Sequence, residues 1–575
     1  MTLIKRREIP AESLALPEDL HPALQRIYAA RHVTDAIELE HGLNRLLPYH
    51  PLKGIQAAVN LLIEALGQQQ RILVIGDFDA DGATSSALAV RALRAMGANS
   101  VDFLVPNRFE YGYGLTPEIV QVALDRQPDL IITVDNGISS NQGVAAARAN
   151  HIKVLITDHH LPGAVLPEAD AIVNPNQVGD SFPCKHLAGV GVIFYVMMAL
   201  RVALREADWF TQQGIKEPNL ASYLDLVALG TVADVVPLDH NNRILVAQGL
   251  ARIRAGECCA GIKAILEIAG RSIENISSSD MGFCVGPRLN AAGRLEDMSI
   301  GINCLLSDDL NAARQLAKQL DQLNHDRRVI EQDMREQAFH YLKTVQMDER
   351  DDLPVGLCLF NAEWHEGVIG ILASRVKDKL HRPVIAFASS GTGLIKGSAR
   401  SVKGLHIRDA LDSVAAKFPD LIHKFGGHAM AAGLTLAADK FDAFAEAFNA
   451  EVSRHLTQDD LHGTIYSDGE LPGQDIGLAL AECLRQAGPW GQGFPEPVFD
   501  GVFELVNRRI VADKHLKLLL RSPGHVDTLD AIAFNTVDHE WPNEVTQVQL
   551  AYRLDVNEFN NRRNAQLIVE HVAPV

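Results

Sequence analysis

The run Gly76-Asp77-Phe78-Asp79-Ala80-Asp81-Gly82, placed directly after the apolar stretch Ile72-Leu73-Val74-Ile75, constrains this chain more than any other feature. A short apolar run reads as a buried strand, so three carboxylates at alternate positions stand at a strand end. If that segment stays extended, Asp77, Asp79 and Asp81 lean to one side. Like charges so crowded need cations or raised pKa values, and cations are the expectation. Val134-Asp135-Asn136 and Asp158-His159-His160 answer the first run downstream.

Two other readings of the first run fail on particular residues. The spacing Asp77-x-Asp79-x-Asp81-Gly82 fits the front half of an EF-hand calcium loop, but the twelfth position, which needs a bidentate Glu, is Leu88. The preceding segment also reads as a strand rather than a helix. A phosphatase with an aspartyl nucleophile would place Asp-x-Asp after a strand, yet it leaves Asp158-His159-His160 without a role.

From about residue 70 the chain repeats strand, loop and helix. Arg71–Ile75, Val101–Val105, Leu130–Val134 and Lys153–Thr157 are short β-rich runs separated by Ala-rich helical stretches, which predicts a mostly parallel sheet covered on both faces. The acidic and histidine residues all follow those runs, and the carboxyl edge of an open α/β sheet is where ligands bind. One site is expected. Residues 302–353 contain neither Gly nor Pro, and Ser307-Asp308-Asp309 starts a long connecting helix whose Leu310, Ala313, Leu316, Leu320 and Leu323 recur at helical spacing. Ala188–Leu200 reads as a buried helix.

Beyond Pro354 a second α/β unit is expected, with strands at Val355–Phe360 and Pro383–Phe387 around a helix at Glu366–Leu380. Two Gly-rich stretches follow, Gly393–Arg400 and Gly426–Gly433. From about 465 short alternating strands such as His515–Leu518 and Gln547–Leu554 predict a small β-barrel, with Arg508, Arg509, Lys514, Lys517, Arg521, Arg562 and Arg563 available on its surface.

Composition excludes several classes. A chain of 575 residues, 47% hydrophobic and 22% charged, is an ordinary globular protein of about three or four domains. Its longest apolar stretch ends at Arg201, short of the roughly 18 residues of a membrane span. Lys5-Arg6-Arg7 leads into Glu8, Pro10 and Glu12 rather than an apolar core, so a cytoplasmic location is expected. Seven cysteines without a Cys-x-x-Cys pair read as reduced thiols. A net charge of −19 argues against indiscriminate coating of nucleic acid, so DNA binding would depend on placed groups.

The chemistry of the acidic cluster can be stated from the residues. Two cations roughly 3.5–4 Å apart activate a water and stabilise a phosphoryl transition state, and oxygen ligands with imidazole suit Mn²⁺ or Mg²⁺. Adjacent side chains diverge, so His160 beside a ligand His159 is expected to support that ligand or to touch phosphate. Arg108, Arg288, Arg294, Ser398, Arg400 and His428 are the candidate phosphate and DNA contacts, because guanidinium forks and glycine-flanked N–H groups match phosphate oxygens. Tyr111, Tyr113 and Trp364 are candidates for base stacking.

In their order along the chain, Asp77–Gly82, Val134–Gly137, Asp158–His160, Gly230-Thr231-Val232-Ala233-Asp234 and Gly426-Gly427-His428 resemble the DHH phosphoesterase superfamily. Gly286–Arg294, Trp364–Gly370 and the terminal OB-like barrel are similar to the branch that hydrolyses single-stranded DNA from its 5′ end. The resemblance implies a two-lobed α/β fold: a parallel-sheet DHH domain, a long connecting helix, a smaller DHHA1 α/β domain and the barrel. The corresponding boundaries are 1–50 for an N-terminal segment packing on the core, 51–305, 306–350, 351–460 and 461–575. It implies that Asp79, Asp81, Asp135, His159 and Asp234 ligate two divalent ions, with Asp135 the bridge and Asp77 and His160 close candidates. His160 is counted with the catalytic set.

In the superfamily's phosphatase branches a His stands four residues before the first ligand Asp. Here that position is Ile75, so one ion lacks a ligand that Asp77 or water would replace. The resemblance also tips Ser398 and Arg400 toward a pocket for a 5′-terminal phosphate. It implies products of mononucleotide size, a role in DNA recombination and repair, a monomer, and as partners a single-strand-binding protein and a helicase that makes 5′ tails. An enzyme acting on short or cyclic oligonucleotides would lack the barrel. A non-catalytic DNA-binding or replication scaffold would have no need to keep the ligand set.

Overall fold

The structure is a computed structural model, and it describes residues 3–575 apart from 11–15, 18, 108–110, 112–113, 345–352, 392, 537–544 and 560–561. The chain forms two compact units: one comprises Arg6–Asn324 with Tyr466–Val575, the other Met1–Lys5 with His325–Ile465.

The first unit holds a five-stranded, wholly parallel sheet: β1 (Ile72–Gly76), β2 (Val101–Leu104), β3 (Leu130–Val134), β4 (Lys153–Thr157) and β5 (Ala171–Val173), in the order β2-β1-β3-β4-β5. The chain leaves β1 for β2 on one side and returns to β3 on the other, so β1 and β3 flank the point where the strand order reverses, a ligand-binding crevice in sheets of this kind. The strands read as continuous apolar runs because both faces are covered. Ile72 and Val74 point into the main core with the helices α1 (Ala80–Ala95), α2 (Gly189–Glu206) and α3 (Leu224–Ala233), while Leu73 and Ile75 point into a smaller core on the other face. β5 is three residues long and was not anticipated from the sequence.

The barrel belongs to this same unit. Its strands β11 (Phe499–Val511), β12 (His515–Arg521), β13 (Thr528–Phe534), β14 (Gln547–Phe559) and β15 (Arg562–Pro574) close in the order β11-β12-β13-β15-β14. Leu518, Leu520, Leu550 and Tyr552 fill the interior and join the main core. Several of the expected surface cations are paired: Lys517 with Asp530 at 3.1 Å, Arg521 with Glu504 at 3.0 Å and Arg563 with Glu482 at 3.0 Å. Arg509, Lys514 and Arg562 are exposed.

The second unit carries a five-stranded mixed sheet: β6 (Leu357–Phe360), β7 (Val384–Ser389), β8 (Leu394–Arg400), β9 (Lys424–Gly427) and β10 (Ala431–Ala437), in the order β9-β10-β8-β7-β6. The Gly-rich stretches of the sequence are thus β8 and the β9–β10 hairpin. The helix expected from Glu366 begins at Ile369, because Trp364–Val368 forms the preceding turns. Helix α5 (Leu310–Thr344), with the Asp309 carboxylate accepting from the backbone of Asn311 and Ala312, carries the chain from the first unit into the second.

Candidate metal centre

The carboxylates of the first motif do not lie on an extended segment. Asp77 sits in the turn after β1, Asp79 caps α1 by accepting from the N–H groups of Asp81 (2.9 Å) and Gly82 (3.0 Å), and Asp81 lies in the first helical turn. The local reason is the cap itself, since an Asp two and three residues ahead of free N–H groups starts a helix. The convergence expected from strand alternation therefore comes from a strand-to-helix turn.

Three helices meet at Asp81. Its side chain is fully buried, and its two oxygens accept from Gly189 N–H (2.6 Å) and Val190 N–H (2.9 Å) at the start of α2. A Cβ on Gly189 would stand 2.6 Å from Asp135 Cβ, and one on Gly230 of α3 would stand 2.8 Å from Asp81 Oδ1 and 2.3 Å from Thr84 Oγ1. Glycine at both positions lets the helices reach the carboxylates. Asp135 follows β3 with φ at +61°, a left-handed conformation costly for a residue with a side chain.

His159 lies at the middle of the cluster. Its Nε2 is 3.1 Å from Asp135 Oδ1, 3.5 Å from Asp234 Oδ2 and 4.0 Å from Asp81 Oδ2. Three sets of donor atoms lie close enough to share an ion: Asp77, Asp79 and Asp135; Asp81, His159 and Asp234; Asp135, His159 and His160. Asp135 and His159 each recur in two sets, and Asp77 offers a donor atom beside those of Asp79 and Asp135. Carboxylate oxygens and imidazole nitrogens without thiolate fit Mn²⁺ or Mg²⁺.

Electrostatics points the same way. Burial, then the charge of Asp79, pushes Asp81 up to about 7. Burial, then Asp81 and Asp79, raises Asp135 and Asp234 well above the ordinary carboxylate range. Without cations these groups hold protons; with cations they can all ionise.

Asp158 has a different task. Fully buried, it accepts from the N–H groups of Ile138, His159 and His160, and its Oδ1 is 2.7 Å from His160 Nδ1. Burial works against charge on His160, but that hydrogen bond and the Asp158 charge outweigh it and bring the imidazole to about 9. The same contact, against burial, holds Asp158 below its ordinary value.

The phosphate candidates fall in different places. Arg108, like Tyr113, lies outside the described residues. Arg288, on helix α4 (Gly286–Leu295), is bonded to Asp321 through Nε (2.9 Å) and to the Cys284 carbonyl through Nη1 (2.8 Å). Arg294 is half-buried on the same helix, which braces the first motif: Asn290 Oδ1 accepts from Ala80 N–H at 2.7 Å. A Cβ on Gly293 would run into the Phe78 carbonyl at 1.8 Å.

Ser398 and Arg400 lie on β8 of the second unit. There Arg400 Nη1 donates to Ser398 Oγ (3.1 Å), and a Cβ on Gly370, at the start of α6 (Ile369–Leu380), would be 2.9 Å from both Arg400 Nη2 and Ser398 Oγ. Burial alone lowers the Arg400 guanidinium. The turn carrying His428 docks on the end of this strand, with Ser401 N–H donating to the Met430 carbonyl at 3.0 Å. Trp364 is buried and donates to Gln337, so it packs rather than stacks, and Tyr111 is half-buried against the sheet.

Sequence reasoning missed Gly189, Val190 and Asn290, which hold the first motif in place. The small-residue start Gly189-Val190-Gly191 was the available signal.

Residues 71–231 match the model of the DHH family, N-terminal domain; residues 354–454 match the DHHA1 domain and 467–571 the RecJ OB domain. The chain is 54% identical to the single-stranded-DNA-specific exonuclease RecJ of Dickeya dadantii (strain 3937) over 576 residues, covering 100% of both. It is 53% identical to that of Escherichia coli (strain K12), covering 100% of this chain and 99% of the relative. Among solved structures it is similar to RecJ of Thermus thermophilus in complex with Mn²⁺, with a TM-score of 0.79 at 30% identity, covering 98% of this chain and 79% of that one. The Mg²⁺ complex of that protein gives 0.74 at 29% identity, covering 98% of this chain and 78% of that one.

Proposed function

The chain belongs to the RecJ family of single-stranded-DNA-specific exonucleases, and on that premise we propose how its own residues carry out the reaction. It is a nuclease that uses Mn²⁺ or Mg²⁺ and degrades single-stranded DNA. The observation that carries the reading of the site is that Asp77, Asp79 and Asp135 form one group of donor atoms close enough to share an ion, and Asp81, His159 and Asp234 another.

In this reading those six residues hold two divalent cations, with Asp135 between them. When bound, the cations supply Lewis acidity at the scissile phosphate and a water that ionises near neutral pH. Asp81 is held in place by the α2 N–H groups, so the centre is preorganised before substrate arrives. His159 is a ligand. His160, oriented by Asp158 through Nδ1, is the group assigned to a phosphate oxygen and to donating a proton as the leaving 3′-oxygen departs.

Direction needs a group that reads one terminus. Arg400, Ser398 and the amino-terminal turn of α6 form an electropositive corner in which, among the described residues, no carboxylate offsets the guanidinium's burial. A 5′-monophosphate fits a guanidinium joined by a hydroxyl and a helix N-terminus. We assign this corner to the 5′ end, with His428 beside it, and hence a 5′-to-3′ direction releasing mononucleotides. Residues 51–305 then do the chemistry, 306–350 connect, 351–460 read the 5′ end and 461–575 hold the strand behind it. From the amino-terminal segment, Leu24, Ile27, Tyr28 and Val33 join the main core.

Such a substrate implies a single-strand-binding protein and a helicase producing 5′ tails as partners, and work in recombination and repair. A cytoplasmic location agrees with seven free cysteines and with the absence, among the described residues, of any helix able to cross a membrane.

The test is Asp81→Ala and Asp135→Ala, each assayed for Mn²⁺-dependent hydrolysis and for binding of a 5′-phosphorylated strand. Loss of turnover with binding retained is expected. Near-normal turnover at saturating Mg²⁺ would overturn the ligand assignment.

A further inference from the structure

Three large apolar side chains stand in solvent on or against the segments that carry His160 and Asp234. Leu161 directly follows His160 and is 60% exposed, Val235 directly follows Asp234 and is 62% exposed, and Phe283 is 80% exposed. Phe283 belongs to the π-helical turn Met281–Val285. That turn packs on the end of α3: a Cβ on Gly282 would meet Val232 Cγ1 at 3.3 Å, and one on Gly286 would meet Ala233 Cβ at 3.2 Å. It therefore covers the two residues that lead into Asp234.

The turn is anchored while its aromatic residue is not. Met281, Cys284 and Val285 are buried on either side of Phe283, so the extra residue of the π turn rotates the ring outward instead of spending it in the core. Single π turns of this kind recur at functional sites. Val235 has φ at +62°, a conformation that a β-branched residue rarely adopts. Its strain aims an apolar group into water next to a metal ligand, and folding alone gains nothing from either arrangement.

We propose that Phe283, together with Val235, forms the platform on which the nucleobase beside the scissile phosphate stacks, and that this platform sets the preference for unpaired strands. The inference rests on reading Asp234 as part of the metal centre. An aromatic ring stacks on any of the four bases, so the contact tolerates sequence. The terminal base of a duplex is paired and stacked on its neighbour, and both contacts must break before it reaches the ring. A base of an unpaired strand turns onto it without breaking a pair. The platform thus gives the otherwise indifferent two-metal chemistry a reason to favour single strands.

The experiment measures kcat/KM for the wild type, Phe283→Ala and Phe283→Trp. Two substrates are used: a 5′-phosphorylated oligonucleotide, and the same strand with abasic residues at its first three positions. On the normal strand Phe283→Ala should lose about tenfold or more and Phe283→Trp should retain most of the rate. On the abasic strand the wild type should itself fall, and Phe283→Ala should add little to that loss. An equal loss on both strands would mean that the ring acts through the scaffold, and no loss on the normal strand would remove it from binding; either overturns the proposal. A failure of the metal-centre reading would show separately, as Asp234→Ala with its Mn²⁺-dependent rate intact.

Discussion

Chelating the protein should make its stability depend steeply on pH, in a direction fixed by the buried carboxylates. Asp81 has an ordinary value of 3.8 and is raised to about 7 by burial and Asp79, and Asp135 and Asp234 move the same way. Between about pH 4 and 7 the folded carboxyl keeps a proton that the unfolded chain has released. The native state then binds more protons, and stability falls as pH rises. For Asp81 alone the gap corresponds to about 4 kcal/mol at about 1.4 kcal/mol per tenfold. In a unit of this size that is a melting-temperature loss on the order of 4–8 °C.

His160 extends the trend: raised to about 9 by Asp158, it contributes stability below about pH 6.5 that is lost as pH rises through 9. Mn²⁺ should cancel most of the carboxylate part, because ligand binding favours the ionised form. The assay is thermal unfolding from pH 4.5 to 8, with EDTA or with Mn²⁺, for the wild type and Asp81→Asn. A chelated protein that becomes more stable between pH 5 and 7, or an Asp81→Asn profile as steep as the wild type's, would refute the reasoning.

Three further outcomes are expected. Gly189→Ala would force a methyl to 2.6 Å from Asp135 Cβ; overpacking of this kind costs about 1–3 kcal/mol, and kcat on single-stranded DNA should fall about 100-fold through misplaced ligands, whereas wild-type kcat would show that the helix approach is unimportant. Arg400→Ala should lower kcat/KM on 5′-phosphorylated strands far more than on 5′-hydroxyl strands, and an unchanged ratio would make Arg400 structural. Replacing Arg509 and Lys514 by Ala should shallow the slope of log binding constant against log salt by about 1.4 for a long strand if both touch phosphate; an unchanged slope would mean that this barrel face does not track the backbone.

How much of this was legible depended on whether a signal was local. β3 and β4 matched their apolar runs residue for residue, because strands buried on both faces need continuous apolar sequence. β5, with only Ala171–Val173, offers too short a run to stand out. The candidate ligands followed from the resemblance carried by the ordered motifs, yet the reason Asp81 stands among them could not be read: the carboxylate is aimed by a helix cap and by N–H groups that begin more than a hundred residues later, at Gly189. Arg288 shows the opposite failure. Its guanidinium looks free in sequence but faces Asp321, 33 positions away. The barrel was legible as strands but not as a partner in the main core, since inward Leu518 and Leu550 give no hint of what they pack against.

The central claim, that one acidic centre hydrolyses single-stranded DNA from the 5′ end with divalent cations, is tested most directly by a single digestion series. Single- and double-stranded oligonucleotides labelled at either end are incubated with the wild type and Asp135→Ala, with EDTA, Mg²⁺ or Mn²⁺. The account expects mononucleotides released at once from the 5′ label of the single strand, only with a cation and only by the wild type, while the 3′ label shortens progressively. Release beginning at the 3′ end, comparable digestion of blunt duplex, or turnover by Asp135→Ala would contradict it.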